Sequence, residues 1–271
     1  MSLFRKKYYL FIIITLFGLM SMYFYSLNSN VQIYTQPKIQ TIPTEDTQHP
    51  ETIEINPNSK TEITNTKGYT MGADFRINPI DSNDNKKVVL LTIDDGPSRQ
   101  SVQILDILDK HNVKAIFFIN GTHHKANPSV IDEEFKRGHS IGNHTWSHQN
   151  LKQISEEKAK QEIDSNTKII FETTGENPKF FRAPYGINSD FSRSYVKSQS
   201  MLSMNWSASP KDWEKPAHDK KVFVENVMKT LHNGDIILMH ENTWSRDALE
   251  DLILAIQSKG YTFLDPKEIT Q

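Results

Sequence analysis

From residue 87 to the C-terminus, short apolar runs alternate with segments of helical periodicity. The first run, residues 88–93, is rich in β-branched residues and predicts a buried strand. The same patterns predict strands at residues 114–121, 140–143, 179–181, 201–206, 235–239 and 261–264, and helices over residues 102–112, 128–136, 151–171, 190–198, 220–231 and 246–258. Strands that alternate with helices favour an α/β domain with a mainly parallel sheet, open or closed.

The first predicted strand stops at two adjacent carboxylates, Asp94 and Asp95. Gly96 and Pro97 then force a turn, and Ser98 is placed to cap the helix that follows. Because side chains alternate along an extended strand, the two carboxylates need not point the same way. One could bind a cation while the other moves protons. The alternative is an ordinary strand-to-loop junction with two solvated acids.

The N-terminus carries a different pattern, an uncharged and largely apolar run at residues 8–25 that follows Arg5, Lys6 and Lys7. Its 18 residues are at the short end of what spans a bilayer, and the basic flank predicts a cytoplasmic N-terminus. A cleaved signal peptide is the alternative. Because no small-x-small cleavage site of the alanine type follows the run, we favour a retained anchor.

These patterns divide the chain into three regions. Residues 1–26 are the basic flank and transmembrane anchor, residues 27–86 a polar and largely disordered extracytoplasmic spacer, and residues 87–271 a globular domain. A small β module at residues 53–71 is an alternative for part of the spacer. The arrangement predicts a single-pass protein of the cell membrane with its domain outside the cell, or a secreted protein if the N-terminal segment is cleaved.

Charge and composition exclude several classes of function. The formal net charge of −2 gives no general attraction to nucleic acid, so we expect no nucleic-acid partner. The chain contains no cysteine, which excludes disulfides, thiolate metal sites and a thiol nucleophile. Any metal site must therefore use histidine and carboxylate ligands.

Two histidines four residues apart, His144 and His148, follow the strand predicted at residues 140–143. Imidazoles at this spacing meet on one face of a helix or a curled loop and suit a divalent metal ion. With one carboxylate from the Asp94–Asp95 pair they make a three-ligand set, which is typical of catalytic zinc. His123 and His124 are rival ligands, but adjacent histidines seldom chelate one ion, and we interpret them as surface polar residues.

Three further side chains follow predicted strands. Arg182 precedes a proline turn and could keep a nearby carboxylate ionised and aimed. Asp212 lies between Trp206 and Trp213, and a contact from it to His240 would raise the histidine pKa and make it a general acid. The alternatives are a surface arginine, core tryptophans and a structural histidine.

Taken together, these segments resemble a known family. Residues 92–97 (TIDDGP), 144–148 (HTWSH), 182–185 (RAPY), 212–213 (DW) and 238–240 (LMH) occur in the order of the five motifs of the polysaccharide deacetylases. This is the family with the chitooligosaccharide deacetylase homology domain, carbohydrate esterase family 4. The resemblance covers residues 87 to 271, and five ordered motifs are far more specific than any one of them.

The resemblance implies a distorted (β/α) barrel and a divalent cation, usually Zn²⁺, with Co²⁺ or another divalent ion as the alternative. Carried over by motif position, Asp95, His144 and His148 would hold the metal. Asp94 would be the catalytic base that Arg182 orients, and His240 the general acid that Asp212 tunes. The substrate-facing positions would be the Tyr185 backbone N–H at the oxyanion and Trp213 and Leu238 around the acetyl methyl.

Three positions depart from the family pattern, namely Ile93 where phenylalanine is common, Gln149 for a frequent proline, and Ser209 for the first aspartate of the fourth motif. We expect an N-deacetylase of N-acetylglucosamine-type sugars in an extracellular polysaccharide, with the peptidoglycan of a Gram-positive cell wall as partner. The alternatives are an O-acetyl esterase of xylan or muramic acid and a catalytically silent carbohydrate-binding protein. The presence of Asp94 and His240 argues against the silent protein.

Overall fold

The computed structural model describes residues 68–270, which form one parallel sheet with helices around it and a short hairpin beside it. The sheet order is β7-β6-β5-β4-β3-β8, and β9 pairs with the first residues of β3. The strands are β1 (Tyr69–Met71), β2 (Ile77–Pro79), β3 (Val88–Gly96), β4 (Ala115–Ile119), β5 (Ser140–Asn143), β6 (Phe180–Phe181), β7 (Leu202–Ser203), β8 (Ile236–His240) and β9 (Thr262–Phe263).

The sheet curls toward closure. Edge strands β7 and β8 lie at opposite ends of the strand order, yet the chain just after β7 reaches β8, where Ala208 forms a parallel bridge with Ile237. The Leu238 N–H donates to the Ala208 carbonyl over 3.0 Å. A curled, partly closed parallel sheet confirms the expected architecture and brings the carboxyl ends of its strands to one rim.

Seven helices connect the strands. They are α1 (Ser101–Lys110), α2 (Gly121–Ala126), α3 (Pro128–Lys136), α4 (Glu156–Thr174), α5 (Asp190–Ser198), α6 (Lys220–Met228) and α7 (Thr243–Ser258) in the described part of the chain. The helices α3 and α5 have the predicted bounds. Helix α2 is absent from the sequence prediction, because its six residues are too few to show a helical period.

The first residue of a helix depends on its N-cap, and two predictions about helix starts were wrong. Ser98 does not cap α1, whose N-cap is Gln100, and the Ser98 hydroxyl instead accepts from the Gln100 N–H over 3.1 Å. The long helix begins at residue 156 and not at 151, because the Ser155 hydroxyl accepts from the Lys158 N–H and sets the start.

The strand predicted at residues 201–206 is shorter in the structure, where only Leu202 and Ser203 pair with β6. The chain then leaves that edge, with Met204 buried in the barrel interior and Ala208 already at β8. A pattern of apolar residues cannot show this change of partner, since buried residues occur both before it, at Met201, and after it, at Ala208.

Strand β3 is buried on both faces. Leu91 and Ile93 face the outer helices, where they share one apolar cluster with Leu105 of α1 and Leu252 of α7. Leu90 faces the interior of the curled sheet, among the residues Ile116, Phe118 and Met204. Burial on two faces explains why this strand is a continuous apolar run instead of an alternating one.

The hairpin of β1 and β2 lies within the region predicted as spacer. Tyr69 and Ile77 are buried and join the same apolar cluster as Leu90. The boundary at residue 87 is therefore too late, because residues 68–86 are part of the folded unit. The predicted anchor at residues 8–25 and most of the β module at residues 53–71 lie outside the described residues. Across residues 68–270 no helix has the length and apolarity needed to cross a membrane.

Candidate metal centre and active site

A bulge at the end of β3 places both neighbouring acids in one cleft. Asp94 pairs with Phe118 and Gly96 with Ile119, so Asp95 is an extra residue between two consecutive pairs. Its φ of +67° is in the left-handed region, which non-glycine residues rarely adopt. Because the bulge interrupts the strand alternation, the side chains of Asp94 and Asp95 line the same cleft.

Asp95 lies beside both histidines of the HTWSH segment. Its Oδ1 is 3.6 Å from His144 Nε2 and 3.5 Å from His148 Nε2, and one ligand atom from each of the three residues lies within 4.8 Å of the others. Asp95 Oδ1 is buried and has no hydrogen-bond partner among residues 68–270. An orphaned carboxylate oxygen facing two imidazoles is the arrangement expected of a ligand set.

His144 is prepared as a neutral ligand. Its Nδ1 donates to the Arg182 carbonyl over 2.8 Å, which leaves the Nε2 lone pair directed at the cluster. Burial lowers the pKa of His144 to about 3, so Nε2 carries no proton that would compete with a cation. The residues present thus fit a divalent metal ion, as the sequence predicted.

Asp94 has a different environment from that of Asp95. It is 2% exposed, and its Oδ1 accepts from Arg182 Nη1 over 2.7 Å. Its Oδ2 is 3.7 Å from His144 Nε2, so one oxygen is held while the other faces the ligand cluster. Burial raises the pKa of Asp94, against the opposing charges of Arg182 and His240.

Arg182 is wholly buried and fixed on several sides. It donates to Thr92 Oγ1 over 2.8 Å and to the Asn205 carbonyl over 3.0 Å, and its guanidinium lies 4.3 Å from the centre of the Phe118 ring. A guanidinium held this way gives Asp94 one orientation. The surface-arginine alternative is therefore wrong.

His240 and Asp212 form a second wall of the cleft. The carboxylate accepts from His240 Nδ1 over 2.8 Å and from the His240 backbone N–H over 2.7 Å. The Ser245 hydroxyl also donates to it, over 2.7 Å. Burial disfavours a charged His240, but the Asp212 carboxylate and the charges of Asp94 and Asp95 outweigh it and raise the histidine pKa to about 9.

The absent first aspartate of the fourth motif does not break this pair. Ser209, which stands in its place, accepts from the Lys211 N–H over 2.9 Å and shapes the turn before Asp212. Asp212 alone supplies the carboxylate to His240.

The cleft between these walls has a volume of about 560 Å³. Tyr185 is 61% exposed at its rim and meets the His148 ring edge-on, with centroids 4.7 Å apart. Trp213 is 52% exposed and meets the His240 ring in the same way at 5.8 Å, while Leu238 is buried at the floor. Exposed aromatic rims over a polar centre suit a sugar ring.

Backbone strain concentrates at the site. Of the eight non-glycine residues with positive φ in the described part of the chain, three line the cleft, namely Asp95, His148 and Tyr185, and two more, Thr145 and Lys211, are next in sequence to residues that line it. Such conformations persist only where surrounding contacts impose them, and they cluster at functional sites.

Glu241, which was not among the residues predicted from the sequence, is 7% exposed and lines the cleft. Its backbone N–H donates to the Asp94 carbonyl over 3.0 Å, and its Oε2 accepts from the Ser98 N–H over 2.9 Å and from the Ser101 hydroxyl. A Cβ on Gly96 would stand 2.3 Å from Glu241 Oε1, so a larger residue there would require the Glu241 carboxylate to move. A charged residue directly after His240 was the available signal.

The two histidines interpreted as surface residues differ from each other. His123 is exposed, as expected, and its Nδ1 lies 2.8 Å from the Asp95 carbonyl oxygen. His124 is buried at 6% exposure, with Nε2 3.4 Å from Thr173 Oγ1, so its surface assignment was wrong. Neither imidazole belongs to the three-residue ligand set.

Comparison with known proteins gives a consistent picture. A family model described as polysaccharide deacetylase matches residues 81–202, which include every residue of the ligand set. A peptidoglycan-N-acetylglucosamine deacetylase of Bacillus cereus is 34% identical over 186 residues, which are 66% of this chain and 67% of that protein.

Two solved structures are also similar. The peptidoglycan deacetylase PdaC of Bacillus subtilis has a TM-score of 0.61 at 35% identity, over 66% of this chain and 87% of that one. A CE4 family pseudoenzyme from Bacillus anthracis has a TM-score of 0.62 at 29% identity, over 66% of this chain and 63% of that one. Both active enzymes and a pseudoenzyme thus share this fold, so the site residues have to decide between them.

Proposed function

We propose the function of this protein from one premise, that the chain belongs to the polysaccharide deacetylase family. It is a metal-dependent hydrolase that removes N-acetyl groups from N-acetylglucosamine-type residues of an extracellular polysaccharide. The proposed substrate is peptidoglycan, the glycan named for the relatives from Bacillus cereus and Bacillus subtilis.

The observation that carries the proposal is that two clusters, the ligand set with Asp94 and the His240–Asp212 pair, line one cleft. The set of Asp95, His144 and His148 forms one wall, and the His240–Asp212 pair forms the other. Asp94 lies with the ligand set, held by Arg182. An acetamide bound in this cleft would meet both a base and an acid.

The ligand set is proposed to hold Zn²⁺. When bound, a divalent ion of this kind supplies Lewis acidity, which makes water more acidic and polarises a carbonyl oxygen. Asp94 Oδ2, free of the Arg182 contact and near the ligand cluster, accepts the proton of the attacking water. The raised pKa of the buried Asp94 strengthens it as a base.

His240 is proposed as the general acid. Its Nδ1 is held by Asp212, so Nε2 is the nitrogen that can give a proton to the leaving group. An amine leaves poorly as an anion, and a histidine with a pKa near 9 is protonated at neutral pH. This feature favours amide cleavage over ester cleavage, because an alkoxide needs less help from an acid.

The remaining predicted residues are assigned to substrate contacts. The Tyr185 backbone N–H is proposed to stabilise the oxyanion, and Leu238 and Trp213 to surround the acetyl methyl. Leu238 is at the buried floor of the cleft and Trp213 is on its rim, positions that suit these roles.

The chain as a whole is proposed to act at the outer face of the cell membrane. Residues 8–25 would anchor it and residues 26–67 would link the anchor to the folded unit. Support for this comes from the sequence pattern alone.

The test is acetate release by the zinc-loaded full-length chain from three substrates, which are peptidoglycan, a chitooligosaccharide and acetylated xylan. We expect release from the first two and little from xylan. Preferential release from xylan would favour the O-acetyl esterase. Binding of glycan without any release, with zinc bound, would show a carbohydrate-binding protein of the pseudoenzyme kind. The matched control is Asp94→Asn, which should bind zinc and release no acetate.

A further inference from the structure

A short segment joins the two parts of the chain that carry the ligand set. Residues 120–123, at the end of β4 and the start of α2, lie between the bulge at Asp95 and the segment from His144 to His148. None of these four residues belongs to the ligand set or to the five motifs. We call them the bridge segment.

On one side, the bridge segment binds the backbone of the bulge. The Asn120 N–H donates to the Gly96 carbonyl over 2.9 Å. His123 Nδ1 lies 2.8 Å from the Asp95 carbonyl oxygen, and since a carbonyl only accepts, the imidazole is the donor. Asp95 therefore has its strained φ of +67° held by a side chain from another element.

On the other side, the same segment binds the backbone of the histidine segment. Asn120 is 1% exposed, and its side-chain amide donates to the His144 carbonyl over 2.8 Å. The backbone N–H groups of Gly121 and Thr122 donate to the carbonyls of Thr145 and Trp146 over 3.2 and 2.9 Å.

Gly121 lies so close to the Trp146 ring that a residue with a side chain would clash with it. A Cβ on Gly121 would stand 2.1 Å from the Trp146 ring. The bridge segment thus lies against the histidine segment with no room for a larger residue, and a shift of one would move the other.

We propose that Asn120 and His123 are positioning residues that set the distance between Asp95 and the two histidines, and so prepare the metal site before an ion binds. The two sides of the segment make five hydrogen bonds, which reach both parts of the chain that carry the ligands, at residues 95–96 and at residues 144–146. Residues that orient ligands from outside the ligand set commonly change metal affinity about 10–100-fold when they are removed. The inference rests on the proposed metal site.

The test is the zinc affinity of the full-length protein, measured by competition with a chromophoric chelator. His123→Ala should lower the affinity about 10–100-fold. His123→Asn should restore most of it, because the asparagine amide can occupy the place of Nδ1 and donate to the same carbonyl. With Co²⁺ in place of Zn²⁺, the visible absorption of His123→Ala should change in shape and intensity, which a general loss of stability would not cause.

The matched control is His232→Ala. His232 is also exposed, and its Nδ1 also lies close to a backbone carbonyl, that of Thr230 at 2.6 Å, but it does not line the cleft. This variant should keep the zinc affinity of the unchanged protein.

Asn120→Ala provides a second measurement and should also bind zinc more weakly, provided its unfolding temperature shows a folded protein. If it does not fold, His123→Ala decides alone. Equal zinc affinity in His123→Ala and the unchanged protein would overturn the inference and leave the proposed function standing. Absence of zinc binding by the unchanged protein would instead overturn the proposed function.

Discussion

Two histidines that line the same cleft have opposite proton affinities. Burial lowers the pKa of His144 to about 3, whereas His240 has a pKa of about 9 because Asp212 outweighs its burial. Both rings donate from Nδ1, but His144 donates to a neutral carbonyl and His240 to a carboxylate. The group that accepts from Nδ1 therefore helps to decide whether a histidine in this cleft is a neutral ligand or a charged acid.

Asp94 and Asp212, two buried carboxylates of the cleft, also differ in their hydrogen-bond partners. Asp94 is held by Arg182 and directs one oxygen toward the ligand cluster, while Asp212 is saturated by His240 and Ser245. A carboxylate with an oxygen to spare can accept a proton, and one with all its oxygens in use can only orient its neighbour. Four substitutions test this difference between a proton acceptor and an orienting carboxylate, from the largest expected effect to the smallest.

Removing a ligand should have the largest effect. His144→Ala takes one of the three ligands from the proposed metal site, so zinc affinity should fall steeply and acetate release should drop to background. Zinc content after dialysis and acetate release measure the two effects. Retention of one zinc per chain would show that the ion is held elsewhere.

Asp94→Asn should act on turnover alone. General base catalysis is typically worth about 10²–10⁴-fold, so kcat should fall by that factor while zinc still binds. Zinc titration and initial rates on one preparation measure both. Loss of zinc equal to that in Asp95→Asn would mean that the roles assigned to the two acids are exchanged.

Asp212→Asn should lower the pKa of His240 toward that of an ordinary histidine. An acid is active below its pKa and fails as the pH rises through it, so the unchanged protein should lose activity near pH 9. Without the carboxylate the pKa of His240 falls, and the loss should begin at a lower pH. The measurement is kcat against pH. An alkaline limit that does not move would exclude His240 as the group behind it.

Ser155→Ala should leave both walls unchanged. The variant removes the side-chain cap of α4, which is typically worth about 1 kcal/mol of stability. Chemical denaturation should show this loss of free energy of unfolding, with kcat and zinc affinity as before. A change in kcat would show that α4 affects the site, and the contrast with Asp212→Asn would then be weaker.

Local patterns predicted much of the fold. The apolar runs at β3, β4 and β8 and the periodic helices α3 and α5 were recognisable because burial and helical period act over a few residues. The errors occurred where distant contacts decide. Residues 68–86 appeared polar, yet Tyr69 and Ile77 are buried against the sheet, and a six-residue helix such as α2 has no period to detect.

The residue types of the site were also visible in the sequence, and the family comparison confirms the resemblance on which their proposed roles depend. Glu241 was visible only as a charged residue after His240, and the bridge segment had no signal, because their importance comes from hydrogen bonds to residues far away in the chain. His123, for example, is 28 residues from the Asp95 carbonyl that it contacts.

The sequence by itself determined the order of strands and helices from residue 88 onward apart from α2, the five motifs, and the set of acids, imidazoles and aromatic rings available for chemistry. The tertiary structure alone decided which acid faces which histidine. A regular strand would have sent Asp94 and Asp95 to opposite faces, and the bulge brings them to one cleft. That bulge is held by Glu241, Asn120 and His123, and such long-range contacts leave no pattern in a local stretch of sequence.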